Sequence, residues 1–121
     1  MEQEFYTYEQ FENDCKKIVR WVKKNNLKFD SIYGIPRGGL IMAVRLSHLL
    51  DIPIILDQKG IYFKTLVVDD ISDTGKTLQG LADYYPETKI VTLYYHKQTK
   101  VVPNFWCREK KNKWVHYWWE K

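Results

Sequence analysis

Thr7 and Gln10 carry the side chains of a helix-capping box, and Phe11, Cys15, Ile18, Val19 and Val22 then recur at helical spacing. The pattern predicts an amphipathic helix from Tyr8 to about Asn25, where Asn25-Asn26 ends it. Ser31 to Ile35 is a short β-prone run that stops at Pro36-Arg37-Gly38-Gly39. Leu40 to Leu50 returns to helix, with Leu40, Ala43, Val44 and Ser47 on one face. Pro53 to Leu56 reads as a second short strand and Asp57-Gln58-Lys59-Gly60 as a turn. Thr65 to Asp69 is a third strand, apolar on both faces through Leu66, Val67 and Val68. Such continuity marks a strand covered by helices on both sides. Leu78, Leu81, Ala82 and Tyr85 form the buried stripe of a further helix that Pro86 ends, and Lys89 to Tyr95 is a fourth strand.

This order predicts one three-layer α/β domain over residues 1–121, with a mostly parallel central sheet flanked by helices. The segment from Val101 to Lys121 lacks a helical period and reads as short strands or a flap, a hood over about 101–121. A chain of 121 residues can close one hydrophobic core and not two. Apolar residues make up 45% and charged residues 28%, which excludes a disordered tail. No run of about eighteen apolar residues occurs, so no membrane-spanning helix is expected. The N-terminus lacks a basic-then-apolar leader, so the expected location is the cytoplasm. Cys15 and Cys107 have no metal-like spacing and read as free thiols. The net charge of +4 mildly favours an anionic partner, although a solvated surface explains an excess this small. Trp106, Trp114, Trp118 and Trp119 crowd the C-terminal segment, and composition alone does not account for them.

Ligands of open α/β sheets sit beyond the carboxyl ends of the strands. After the third strand that position holds Asp69-Asp70-Ile71-Ser72-Asp73-Thr74-Gly75-Lys76-Thr77. Its second half suits a phosphate: Gly75 admits close backbone approach, Thr74 and Thr77 offer hydroxyls, and the next helix presents free N–H groups. Gly75-Lys76-Thr77 also matches the end of a nucleotide-binding P-loop, but that motif needs a glycine where this chain has Asp70. A carboxylate there would repel a triphosphate. Adjacent carboxylates at the other end suit ribose hydroxyls or Mg²⁺. Both ends together describe a ribose 5-phosphate.

Val67 to Thr77 resembles the phosphoribosyl-pyrophosphate motif of type I phosphoribosyltransferases: two acidic residues, a short stretch, then Thr-Gly-x-Thr. The resemblance implies that Asp69 and Asp70 face the ribose hydroxyls, directly or through Mg²⁺, and that Asp73 to Thr77 wrap the 5-phosphate. Tyr33 to Leu40 resembles the family's pyrophosphate loop, with Arg37 and Gly38 as the pyrophosphate binders. Relatives often carry a cis peptide just before the basic residue, here the Pro36–Arg37 bond. Tyr85 to Lys97 is similar to the purine branch, above all the bacterial xanthine-guanine phosphoribosyltransferases. On that branch a lysine at the position of Lys97 donates to the 6-oxo group. Trp114 to Glu120 resembles the C-terminal flap, which implies base stacking for Trp114, base-edge contacts from the Val115 backbone and a metal role for Glu120 beside Asp69 and Asp70. Trp118 and Trp119 read as core or interface residues.

The resemblance therefore implies transfer of 5-phosphoribosyl from phosphoribosyl pyrophosphate to a 6-oxopurine, with Mg²⁺ as cofactor and a homodimer or homotetramer as assembly. Asp73 falls where relatives place a general acid or base near purine N7, and Arg37 where they stabilise the leaving pyrophosphate. Asp57 to Lys64 is shorter than the lid-bearing segment of relatives, leaving Lys59 or Tyr62 as a reduced lid. The family also holds non-catalytic regulators that bind nucleotides or RNA, and Lys110 to Lys113 beside tryptophans would suit one. The joint presence of both acidic residues, the phosphate loop, Arg37, Lys97 and Asp73 favours the enzyme, and nucleic acid is not the expected partner.

Overall fold

The Thr7 backbone is extended, its hydroxyl oxygen accepts from the Gln10 N–H at 3.1 Å, and Gln10 Oε1 accepts from the Thr7 N–H at 2.9 Å. This closed capping box starts α1 (Tyr8–Lys24), whose stripe of Phe11, Cys15, Ile18 and Val22 is buried. The computed structural model describes residues 2–120. It adds β2 (Ser31–Gly34), α2 (Gly38–Leu50), β3 (Thr65–Ser72), α3 (Lys76–Tyr84), β4 (Lys89–Tyr95) and β5 (Phe105–Glu109) in chain order. These strands form a parallel sheet in the order β2-β3-β4-β5, with Gly34 beside Val68 and Val68 beside Val91. A separate parallel pair joins β1 (Glu2–Tyr6) to β6 (Lys113–Tyr117), with Tyr6 opposite Tyr117.

The apolar run in β3 explains the layering. Leu66 and Val68 point into one core with Phe11, Ile18, Met42 and Leu46 of α1 and α2, while Val67 points into a second core with Leu78 and Leu81 of α3. Each of the three is essentially inaccessible, and full burial of such a side chain contributes about 1.5–3 kcal/mol. No helix among the described residues is long and apolar enough to cross a membrane. Both cysteines are free.

Two expectations are corrected and one strand is added. Pro53 to Leu56 is not a strand: Ile54 makes one isolated parallel bridge to Ile32, and the Pro53 carbonyl and Ile55 N–H bond the Ile32 backbone. Proline lacks the N–H a longer ladder needs. The third strand continues past Asp69 to Ser72, because Ile71 and Ser72 stay in register with Tyr94 and Tyr95. The N-terminal strand β1 was not expected at all, since its partner lies at the opposite end of the chain.

The hood is moored by a buried carboxylate. Asp14 of α1 is inaccessible and accepts from the Tyr6 hydroxyl at 2.7 Å and from Arg108 Nε at 2.7 Å, with Lys17 at 3.6 Å. Burial and the adjacent Asp14 charge push the Tyr6 hydroxyl above its usual pKa. Tyr94 donates to Glu4, a second tie from β4 to β1. Trp119 packs edge-on against Tyr6 and Phe11, and Trp118 against Tyr8 and Phe11. Both tryptophans thus serve packing, as the sequence reading holds.

Candidate active site

The carboxyl end of β3 delivers Asp69 and Asp70 to a cavity of about 300 Å³ lined by residues 35–38 and 69–78. Asp69 is buried, and its Oδ1 accepts from the Asp70 N–H at 2.8 Å. Neither carboxylate has an ion-pair partner among the described residues. Burial raises the pKa of Asp69, and the Asp70 charge raises it further. Burial likewise lifts Asp70, with Glu120 adding to the rise. Two buried acids without an internal cation favour a ligand that brings hydroxyl donors or positive charge.

Gly75 is required twice over. Its φ of 85° lies in the left-handed region, and a Cβ there would fall 2.5 Å from Thr99 Oγ1 and 2.6 Å from the Lys100 nitrogen. The tight passage places the start of α3 against the cavity with no side-chain cap at Gly75, so backbone N–H groups of Thr77 and Leu78 remain for an anion. Thr74 Oγ1 accepts from the Lys76 N–H at a long 3.3 Å, and Thr74, Lys76 and Thr77 are exposed. The Ser72 hydroxyl instead turns away, pairing with Thr99 Oγ1 at 2.7 Å and the Val101 carbonyl at 2.8 Å, which braces the loop from behind.

The opposite wall is the Pro36-Arg37-Gly38-Gly39 turn. The Pro36–Arg37 peptide is cis, as the sequence resemblance implies. A Cβ on Gly38 would collide with Asp70 Oδ2 at 2.2 Å, so a side chain there would displace the carboxylate. Arg37 is exposed, lines the cavity and has no ion-pair partner among the described residues.

A second cavity, of about 170 Å³, adjoins the first and is lined by Ile71, Asp73, Lys110, Trp114, Val115, Tyr117 and Glu120. Asp73 and Ile71 belong to both linings. Lys110 Nζ lies 3.2 Å from Asp73 Oδ2 and 5.8 Å from the centre of the Trp114 ring. Asp73 Oδ1 and the Tyr117 hydroxyl are buried without a partner. Trp114, 56% exposed, offers an open aromatic face.

Most of the sequence-derived site residues therefore converge: Arg37, Gly38 and Asp69 to Thr77 on one cavity, and Asp73, Trp114, Val115 and Glu120 on its neighbour. Lys97 does not join them; it is exposed on the turn after β4 and lines neither cavity. Lys110 stands at the second cavity instead, a residue the sequence reading left among surface lysines. Its place four residues before Trp114, at the end of β5, is the signal that could have singled it out. Glu120 accepts from the Tyr117 N–H at 3.2 Å and sits close enough to act on Asp70, yet no three acidic, histidine or cysteine side chains among the described residues form a ready metal cluster. Asp57 to Lys64 stands away from both cavities: Tyr62 donates to Asp30, the Gln58 carbonyl accepts from the Tyr85 hydroxyl at 2.9 Å, and neither Lys59 nor Tyr62 lines them.

No protein-family model matches the chain. The crystal structure of a purine phosphoribosyltransferase from Pyrococcus horikoshii is 31% identical, covers 100% of this chain and 96% of its own, and superposes with a TM-score of 0.84. The Helicobacter pylori xanthine-guanine-hypoxanthine phosphoribosyltransferase, 22% identical over 98% of this chain and 93% of its own, shares the fold with a TM-score of 0.80. In sequence, the xanthine-guanine phosphoribosyltransferase of Chromohalobacter salexigens is 23% identical over 94% of this chain and 82% of its own.

Proposed function

The chain belongs to the type I phosphoribosyltransferases, on their purine branch, and we propose that it transfers a 5-phosphoribosyl group from phosphoribosyl pyrophosphate to a nitrogen of a 6-oxopurine, releasing pyrophosphate. The observation that carries this reading is Asp73, one carboxylate shared by the cavity of the acidic pair and Gly75 turn and by an aromatic cavity.

The 5-phosphate sits on the free N–H groups of Thr77 and Leu78, with Thr74 and Thr77 hydroxyls beside it. Asp69 and Asp70 accept from the ribose 2′- and 3′-hydroxyls, which rewards the desolvation that raises their pKa. Arg37 and the Gly38 backbone hold the pyrophosphate, and Arg37 meets the negative charge that grows on it as the C1′–O bond breaks. The base stacks on Trp114, worth about 1–3 kcal/mol by nucleic-acid precedent, and the Val115 backbone reads its edge. Asp73 holds or removes a proton at purine N7. The transition state is oxocarbenium-like, so rate comes from orienting sugar, base and leaving group together.

Mg²⁺ fits this donor set, because Asp69 and Asp70 are hard oxygen ligands with no internal cation, and Glu120 stands near Asp70. When bound, it would be held by these carboxylates and supply positive charge to the pyrophosphate.

A pyrophosphate-release assay with phosphoribosyl pyrophosphate, Mg²⁺ and a panel of hypoxanthine, guanine, xanthine, adenine and orotate tests the proposal. The expected outcome is release with the 6-oxopurines well above the other two. Preference for adenine or orotate, or silence with every base, overturns it.

A further inference from the structure

Tyr117 carries a hydroxyl that the fold itself leaves unused. Its ring is held from several sides, stacked on Trp119 at 4.8 Å between centroids and edge-on to Tyr6 at 5.8 Å and Tyr94 at 6.1 Å. Its backbone is fixed as well, because the Tyr117 N–H donates to Glu120 Oε1 and its carbonyl accepts from the Glu120 N–H. The residue is 7% exposed, yet its hydroxyl has no hydrogen-bond partner. Buried tyrosine hydroxyls usually find one, and those of Tyr6 and Tyr94 do, on Asp14 and Glu4. Tyr117 lines the smaller cavity with Ile71 and Asp73. The carboxylates whose charge reaches its hydroxyl are Asp70, Glu120 and Asp69. Burial first, and those charges after it, hold the phenol above its usual range, so it stays a proton donor. The hydroxyl thus stands where the two cavities meet. A ligand with its phosphate in the larger cavity and its base in the smaller one has its sugar at that junction.

We propose that the Tyr117 hydroxyl binds the sugar, donating a hydrogen bond to the ribose hydroxyl whose proton Asp70 accepts. This rests on the phosphoribosyl reading above and supplies the donor that the acidic pair lacks. A ribose hydroxyl both donates and accepts, whereas an ionised carboxylate only accepts. Asp69 and Asp70 can take the protons of the 2′- and 3′-hydroxyls, but they leave the lone pairs of those oxygens unmatched in a place shielded from water. A phenol at the junction matches one of them. Because packing already holds the ring, little side-chain freedom is lost when the ligand arrives. The hydroxyl is desolvated without compensation in the free protein, and the ligand provides that compensation. The family resemblance assigns no role to this position, and only the coincidence of burial, missing partner and acidic neighbours singles it out.

The test compares wild type with Tyr117→Phe, which removes only the hydroxyl, and with Tyr84→Phe at an exposed tyrosine as the control. Titration calorimetry in Mg²⁺ measures the binding of phosphoribosyl pyrophosphate, ribose 5-phosphate and pyrophosphate, and thermal melts measure the stability of the free protein. For Tyr117→Phe the Kd of both ribose-containing ligands should rise about threefold to tenfold, the worth of one neutral hydrogen bond. Its Kd for pyrophosphate and its KM for hypoxanthine should stay at the wild-type values. The free variant should melt no lower than wild type, because it loses an unpartnered hydroxyl and keeps its ring. Tyr84→Phe should match wild type throughout. A lower melting temperature with unchanged affinities would show that the hydroxyl is bonded within the fold, and would overturn the proposal. A loss confined to the KM for hypoxanthine, or one shared equally by pyrophosphate, takes the hydroxyl off the sugar and overturns it too. If wild type binds both ribose ligands and Tyr117→Phe binds them equally well, the assignment to Tyr117 falls while the phosphoribosyl reading stands. If wild type binds neither, that reading itself fails.

Discussion

Asp14 in α1 and Asp69 at the end of β3 are both buried, at 0% and 8% exposure, but they have opposite company. Asp14 is surrounded by donors: the Tyr6 hydroxyl, the Arg108 guanidinium and the Lys17 ammonium. Asp69 has one backbone N–H and, as its nearest charged neighbour in sequence, another carboxylate. Burying a charge is tolerable when the fold itself supplies the partners, and costly when it does not. The satisfied acid is therefore structural and joins the hood to the body. The unsatisfied pair is where the proposed ligand would supply the missing partners, since desolvated acids in a cleft commonly mark functional sites.

The contrast can be broken most forcefully at the satisfied acid. Asp14→Ala leaves Arg108 and the Tyr6 hydroxyl without their acceptor, and loss of one partner of a buried pair costs about 3–5 kcal/mol. Chemical denaturation should show that loss directly. A variant that unfolds at the wild-type denaturant concentration would mean that the cluster adds nothing. Next comes the acid that both cavities share. Asp73→Asn should lower kcat by about a hundredfold or more, the range for a general acid or base, while phosphoribosyl-pyrophosphate affinity stays within a few-fold. Equal losses in kcat and affinity, separated by single-turnover kinetics and titration, would remove Asp73 from the proton-transfer role.

The unsatisfied acid gives the smallest and most telling effect, because its sign is reversed. Burial, with the Asp70 charge beside it, raises the pKa of Asp69, so over a range of pH above the ordinary carboxylate value the folded protein holds a proton that the unfolded chain has already released. Stability should therefore fall as pH rises from about 4, the ordinary carboxylate value, toward the raised folded value. Asp69→Asn should flatten this decline and make the protein more stable than wild type at pH 8, with the advantage gone below about pH 4, while weakening phosphoribosyl-pyrophosphate binding. Thermal melts across pH check it; a variant less stable than wild type at pH 8 would show that Asp69 is not an uncompensated charge.

Much of this was legible in the sequence where the cause is local. The Thr7–Gln10 capping box, the Gly75 turn and the apolar β3 run form as their residues demand, and the cis Pro36–Arg37 bond lies where the family resemblance puts it. The strand expected at Pro53–Leu56 was a local reading that failed, because a ladder depends on the neighbouring strand as well as on the segment. Lys97 and Lys110 show the same limit at the site: the side chains are identical, and only one is carried into the cavity.

The sequence by itself determined the helix starts, the two-sided burial of the central strand and the acidic pair with its Gly75 turn, all set by residues a few positions apart. Only the tertiary structure decided that β1 pairs with β6, that Arg108 neutralises Asp14 from 94 residues away and that Lys110 meets Asp73 beside Trp114. Local rules act through backbone geometry and neighbouring hydrogen bonds, which a short window of sequence contains. Partners brought together by sheet pairing and burial depend on the whole packed chain, and no such window contains them.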